Sequence, residues 1–185
     1  MAETFLLFKE PQLSSASVTE ERKAVSEVFR KFRETTPLVH CITNYVAMNI
    51  SANVLLAAGG SPAMIHAPEE TADFARIASA LTINIGTLSP PWVEGMKKAI
   101  TAARNADVPW VFDPVGHFAT PYRAAVAQDI LKMGPTILRG NASEIMALAG
   151  QSSEAKGVDS SDPVEDAEVA ALSLATAHNL SLIHI

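Results

Sequence analysis

The stretch VPWVFDPVGHFATPYRAAVAQDILKMGPTILRGNASEI, residues 108–145, decides the fold. It opens on an apolar run of strand length, VPWVFD (108–113), and breaks at Asp113-Pro114-Val115-Gly116. After Thr120 and Pro121 it resumes as a helical segment over 121–133. Proline suits the first helical position because the N–H there has no intrahelical partner, and the threonine before it supplies a cap. A second apolar run, TILRG (136–140), follows at once. Asn141, with Glu144 three residues later, then marks another helix start, a local device for tying off loose backbone N–H groups. Strand, helix, strand and helix in this order form a βαβ unit, which implies parallel strands.

The same alternation extends in both directions. Upstream lie LVHCIT (38–43), PAMIHA (62–67) and LTINIG (81–86), three more apolar runs of strand length. Helical segments separate them: about 46–58, ended by Gly59-Gly60; 69–80, with Pro68 near its start; and 90–105, with Ser89 before two prolines. The runs are almost continuously apolar, as strands covered on both sides should be. Before them, SVTEERKAVSEVFRKF (17–32) reads as a leading helix with a capping box from Ser17 to Glu20. Beyond them, 150–163 reads as a polar loop, 163–178 as a helix and LSLIHI (180–185) as a strand-like end. The expected fold is α/β, a largely parallel central sheet with helices on both faces. Residues 1–35 form an N-terminal extension and leading helix, and 36–185 the α/β domain.

Composition narrows the function. With 185 residues, 48% hydrophobic and 18% charged, the chain can bury a sizeable core. A net charge of −6 and the lack of a long basic run argue against a nucleic-acid partner. The single cysteine, Cys41, precludes an intrachain disulfide framework and fits a reducing compartment. No apolar run reaches membrane-spanning length, and MAETFLLFKE at the start lacks the basic lead of a signal peptide. The expectation is a cytoplasmic protein with no membrane partner.

In a parallel sheet, chemistry gathers at the carboxyl ends of the strands. There the sequence places Thr43-Asn44, then Gly86-Thr87, then Asp113, and finally Arg139-Gly140-Asn141 with Glu144 one turn on. An Asp, a Glu, an Arg and an Asn on one rim suit a polyanionic substrate with Mg²⁺, hard oxygens for the metal and a guanidinium for phosphate. Neither a P-loop nor a G-x-G-x-x-G fingerprint is present. His40, inside an apolar strand, reads as a hydrogen-bonded core histidine. His66 and His117 lie near the rim without a second ligand at metal spacing. Tyr122 and Arg123 read as surface residues of their helix, and Trp92 and Trp110 as packing.

Six ordered segments carry a resemblance: PLVHCITNYV (37–46), SPAM (61–64), INIGTL (83–88), FDPVGHFAT (112–120), RGNASEI (139–145) and KGVDS (156–160). In order and spacing they resemble hydroxyethylthiazole kinase, the thiamine-salvage enzyme of the ribokinase-like superfamily, over residues 36–160. The resemblance implies phosphoryl transfer from Mg·ATP to the primary alcohol of 4-methyl-5-(2-hydroxyethyl)thiazole. It places Met64 and Asn44 at the thiazole, Arg139 and Asn141 at ATP, and Asp113 and Glu144 at Mg²⁺. It also implies a homotrimer with the active site between neighbouring subunits. The family pattern runs on past residue 185, through a Thr-Gly and a Gly-rich T-G-x-G-C-like helix start that supply the anion hole and the catalytic base. This chain ends in LSLIHI, so the expectation is a C-terminally truncated member with no catalytic residue among its own and no activity by itself. The alternative is a non-catalytic paralogue that keeps the thiazole pocket and subunit contacts as a scaffold. A third reading, another ribokinase-like enzyme such as a pyridoxal-type kinase or a nucleotide-repair hydratase, fits VHCITNYV and RGNASEI less well.

Overall fold

A computed structural model describes residues 15–150 and 164–184. The chain runs α1 (Ser15–Thr35), β1 (Leu38–Ile42), α2 (Met48–Ala58), β2 (Ser61–Ala63), α3 (Thr71–Ile77), β3 (Ala80–Asn84), α4 (Pro90–Asn105) and β4 (Trp110–Asp113). A short 3₁₀ turn at His117–Ala119 leads to α5 (Pro121–Leu131), β5 (Ile137–Gly140), α6 (Ala142–Leu148), α7 (Val164–His178) and β6 (Ser181–His184). The strands form one sheet in the order β2-β1-β3-β4-β5-β6, and every pairing is parallel.

Helix boundaries follow the local signals closely where capping is strong. Ser89 accepts from Trp92 N–H and Thr120 from Arg123 N–H, each ahead of a proline at the helix start. Gly59 closes α2 in the left-handed conformation at φ 101°, which a residue with a Cβ adopts only under strain. Three expected boundaries shift. The segment expected helical over 69–80 is helical only over Thr71–Ile77, because Ala78 turns extended and Ser79 N–H bonds to Leu38 O to start β3. The strand expected over 62–67 is cut to Ser61–Ala63, and His40 Nε2 then takes the Ile65 carbonyl at 2.8 Å in place of a ladder bond. The leading helix begins at Ser15 rather than being capped at Ser17. The polar loop after Gly150, with KGVDS inside it, lies outside the described residues.

Register divides the sheet into two unlike faces. Paired residues of parallel neighbours share a side, so Ile42, Ile83, Phe112, Leu138 and Leu182 point one way. All five are essentially buried, in one core with side chains from α3, α4, α5, α6 and α7. The residues between them, Thr82, Val111, Ile137, Arg139 and Ser181, point the other way and are only half-buried, with Ile183 40% exposed. On this second face α2 covers β1, where Cys41 is 2% exposed, but α2 itself buries no residue fully. Helices therefore lie on both faces, as expected, though unevenly among the described residues. Polar residues of the strand ends collect on the open face.

This asymmetry sets the cost of truncation at each position. Ile83→Ala should lower unfolding free energy by about 2–5 kcal/mol, the usual range for a fully packed site, and Val111→Ala by under about 1.5 kcal/mol. Urea unfolding of the two variants measures the difference.

Candidate functional site

Four adjacent strands end side by side at the rim of the open face. β1 leads into Asn44, β3 ends at Asn84, β4 at Asp113, and β5 carries Arg139. Asn84 and Asp113 are register partners, and Arg139 stands one residue past the Phe112–Leu138 pairing, beside Asp113. Arg139 Nη1 meets Asp113 Oδ2 at 2.6 Å, with the aspartate side chain 13% and the arginine side chain 43% exposed. Burial pushes the Asp113 carboxyl above the usual carboxylate range, against the opposing pull of Arg139, of the Asn84 side chain and of Val115 N–H. The pair borders a cavity of about 290 Å³ between α2 and the open face, which Cys41, Thr43 and Thr82 also line.

Asn141 and Glu144 cap α6, and Glu144 also anchors the loop after β4. Asn141 Oδ1 accepts from Glu144 N–H and Glu144 Oε2 from Asn141 N–H, both at 2.9 Å, which completes a capping box on α6. The other oxygen, Oε1, accepts from Gly116 N–H at 2.9 Å and so ties the loop after β4 to the start of α6. Glu144 is 3% exposed. Its carboxyl is pushed up by burial, with the two backbone N–H groups working against that and the Asp113 charge adding to it.

Arg123 corrects the sequence reading. It is a half-buried clamp and not a surface residue. Its guanidinium donates to the carbonyls of Ile85 (2.7 Å), Gly86 (3.4 Å), Val115 and Gly116 (3.1 Å), joining the loops after β3 and β4. A usable signal was present: Arg123 sits in the first turn of α5, where the helix dipole disfavours a cation. An arginine placed there asks for partners elsewhere. Asn84 was missed for a different reason, since nothing in one strand's sequence tells which neighbour its amide meets. Gly86 belongs to the same junction, because a Cβ there would lie 2.6 Å from Asn44 Nδ2.

Other expectations fall as read. His40 is fully buried and bonded to Ile65 O, Trp110 is packed at 2% exposure, and Tyr122 is exposed. Trp92 is half-buried, with His66 stacked on it at 4.3 Å and Tyr45 tilted against it at 4.9 Å. Met64 follows β2 at the sheet edge, on the side of β1 and Asn44 and away from Arg139. Four strand spacings separate β2 from β5, so Met64 and Arg139 stand on the order of 19 Å apart.

The sequence profile described as the Hydroxyethylthiazole kinase family matches residues 29–184. The chain belongs to the hydroxyethylthiazole kinase family. A hydroxyethylthiazole kinase of Rhizobium etli is 65% identical over 143 residues, which is 77% of this chain and 55% of that protein. One from Gemmatimonas aurantiaca is 57% identical over 162 residues, covering 88% of this chain and 58% of the relative. The solved hydroxyethylthiazole kinase of Pyrococcus horikoshii superposes with a TM-score of 0.77 at 41% identity, covering 86% of this chain and 59% of that one. The chain thus spans a little over half the length of the relatives it matches. Its parallel α/β architecture is the ribokinase-like one that the resemblance implied.

Two outcomes follow from the geometry around the β4 loop. His117 is 2% exposed, and burial, with Arg123 nearby, pushes its pKa down to about 4. A histidine with a depressed folded pKa stabilises the fold above its unfolded value and loses that contribution as pH falls through the window from about 6.5 to 4, at up to about 1.4 kcal/mol per pH unit. Asp113 and Glu144, both raised, have the opposite sign, so His117→Gln should flatten the acid side of a stability–pH curve measured by urea unfolding. Arg123→Met should take the arginine donor from the Ile85, Gly86 and Val115 carbonyls, while Gly116 O keeps Ala119 N–H, and lower the unfolding free energy by roughly 2–4 kcal/mol, with faster amide exchange at Gly86 and Gly116.

Proposed function

We propose that this protein takes part in ATP-dependent phosphorylation of the alcohol of 4-methyl-5-(2-hydroxyethyl)thiazole, in thiamine salvage. The observation that carries the reading is the Arg139–Asp113 pair at adjoining strand ends, within a chain 65% identical to a hydroxyethylthiazole kinase. Phosphoryl transfer is largely positioning and charge stabilisation, and this rim offers a cation and carboxylates for it. Arg139 keeps enough exposure to leave Asp113 for a phosphate oxygen, and Asn141 adds a polar group at the same turn.

Asp113 and Glu144 are the residues that would hold Mg²⁺. No group of three or more His, Cys, Asp or Glu side chains that could hold a metal stands among the described residues. Two carboxylates are nonetheless the donor set Mg²⁺ accepts when phosphates and water supply its remaining ligands. The ion would offset charge on the phosphates. Asp113 is oriented for this by Arg139, and Glu144 by two backbone N–H groups.

Asn44 and Met64 are the proposed thiazole contacts, methionine being an adaptable surface for a flat sulfur heterocycle. The distance between Met64 and the Arg139 side of the rim supports a site shared between subunits, consistent with a homotrimer. The setting is taken to be the cytoplasm, and among the described residues no helix is long and apolar enough to cross a membrane. No observation favours the non-catalytic scaffold.

Calorimetry with the purified protein tests the assignment. Arg139→Ala should weaken Mg·ATP binding by roughly ten- to a hundredfold, the worth of one charge-assisted contact, while thiazole alcohol binding changes little. Equal losses for both ligands would remove Arg139 from the phosphate site. Glu144→Gln should shift the Mg²⁺ dependence of turnover as well as the melting temperature. A variant that melts lower but keeps its Mg²⁺ dependence would leave Glu144 a structural residue only.

A further inference from the structure

Asn84 lies between the two halves of the proposed site. Its Oδ1 accepts from Asn44 Nδ2 at 2.8 Å and from Gly86 N–H at 2.9 Å. With the amide oxygen committed on that side, the NH₂ is left on the other, toward Asp113, the register partner of Asn84 on β4. Asp113 in turn holds Arg139. At the opposite end Asn44 Oδ1 accepts from Ala47 N–H at 2.8 Å, so the Asn44 NH₂ is also directed, toward Asn84. Asn44, Asn84, Asp113 and Arg139 stand in one polar line across the ends of β1, β3, β4 and β5.

Its directions are over-determined. Reversing the Asn84 amide would set NH₂ against the Asn44 NH₂ and Gly86 N–H, and oxygen against a carboxylate. The surrounding backbone is held to match. Gly86 has no Cβ, which leaves room for Asn44, and Arg123 grips the carbonyls of Ile85 and Gly86 from the far side.

We propose that Asn84 is a positioning residue that orients the Asn44 carboxamide and the Asp113 carboxylate together, keeping the alcohol side of the site in register with the phosphate side. The inference depends on the kinase reading above for its catalytic consequence, but not for the relay itself. Asn84 touches neither substrate in this account.

Two variants separate its bonds. Asn84→Asp keeps an oxygen for Asn44 and Gly86 but sets a second carboxylate against Asp113. Asn84→Ala removes both sides at little steric cost, so the test stands if the aspartate variant folds poorly. In the ligand-free protein, NMR should show slow exchange of the Asn44 side-chain NH₂ in wild type and Asn84→Asp, lost in Asn84→Ala. With hydroxyethylthiazole and Mg·ATP, kcat should fall at least tenfold in Asn84→Asp while KM for the alcohol stays within about twofold; in Asn84→Ala, kcat should fall and that KM rise. Unchanged Asn44 exchange in Asn84→Ala would overturn the relay. Activity losses that merely track the folded fraction would overturn the positioning role. If the wild-type protein neither turns over nor binds Mg·ATP and the thiazole alcohol in calorimetry, the kinase reading fails, and the NMR comparison alone still decides whether Asn84 orients Asn44.

Discussion

Side chains alternate across a β-strand, so in a parallel sheet the burial of one set of positions dictates where every intervening residue points. Here Leu81, Ile83, Phe112, Leu138 and Leu182 are committed to a single core beneath five helices. With those positions committed, Asp113 and Arg139 must face the other side, one residue past Phe112 and Leu138. A slip of one residue would drive a carboxylate and a guanidinium into an apolar core, at a cost of many kcal/mol for unpaired charge. The strongest force in the fold therefore also places the most polar pair.

The rim is then stiffened by groups that share duties between folding and chemistry. Glu144 completes the cap of α6 with one oxygen and anchors the β4 loop with the other. Arg123 closes two loops onto each other through their carbonyls, replacing water with a fixed cation at backbone that would otherwise have to remain solvated. Such bonds hold a constellation at working distances before a ligand arrives, which is where the benefit of preorganisation lies. They also explain why buried carboxyls persist here: each sits among donors that compensate part of the lost hydration.

The open face has the opposite character. Thr82, Val111, Ile137 and Ser181 mix hydroxyls with branched aliphatics, and all are half-buried. This mixture suits a surface that meets polar groups at its rim and apolar ones over its middle. The cavity beneath α2 is lined by Val54, Leu55 and Val111 as well as by Asp113 and Arg139, so apolar and charged groups share its walls.

Much of this was legible from residue order. Apolar runs of strand length separated by capped helices imposed parallel pairing, because a helix running back across the sheet returns the chain to the end where the previous strand began. Ser89 and Thr120 before prolines, Gly59 in its left-handed turn and the Asn141–Glu144 box are local devices, complete within four residues, and they lie where the sequence places them. Asp113 and Arg139 were legible as candidates because a charge that ends an apolar strand needs a reason. The contacts that unite the site were not legible, because their partners are far apart in the chain. Asn44 and Asn84 are 40 residues apart, and Arg123 reaches Ile85 across 38. The early ends of β2 and α3 were equally a matter of neighbours, since Ser79 leaves its helix to pair beside Leu38. Sequence determined the elements, their caps and which residues could carry charge at strand ends. Tertiary structure decided the strand order, the uneven cover of the two faces and the partners of each polar group, because those depend on distances that no local pattern contains.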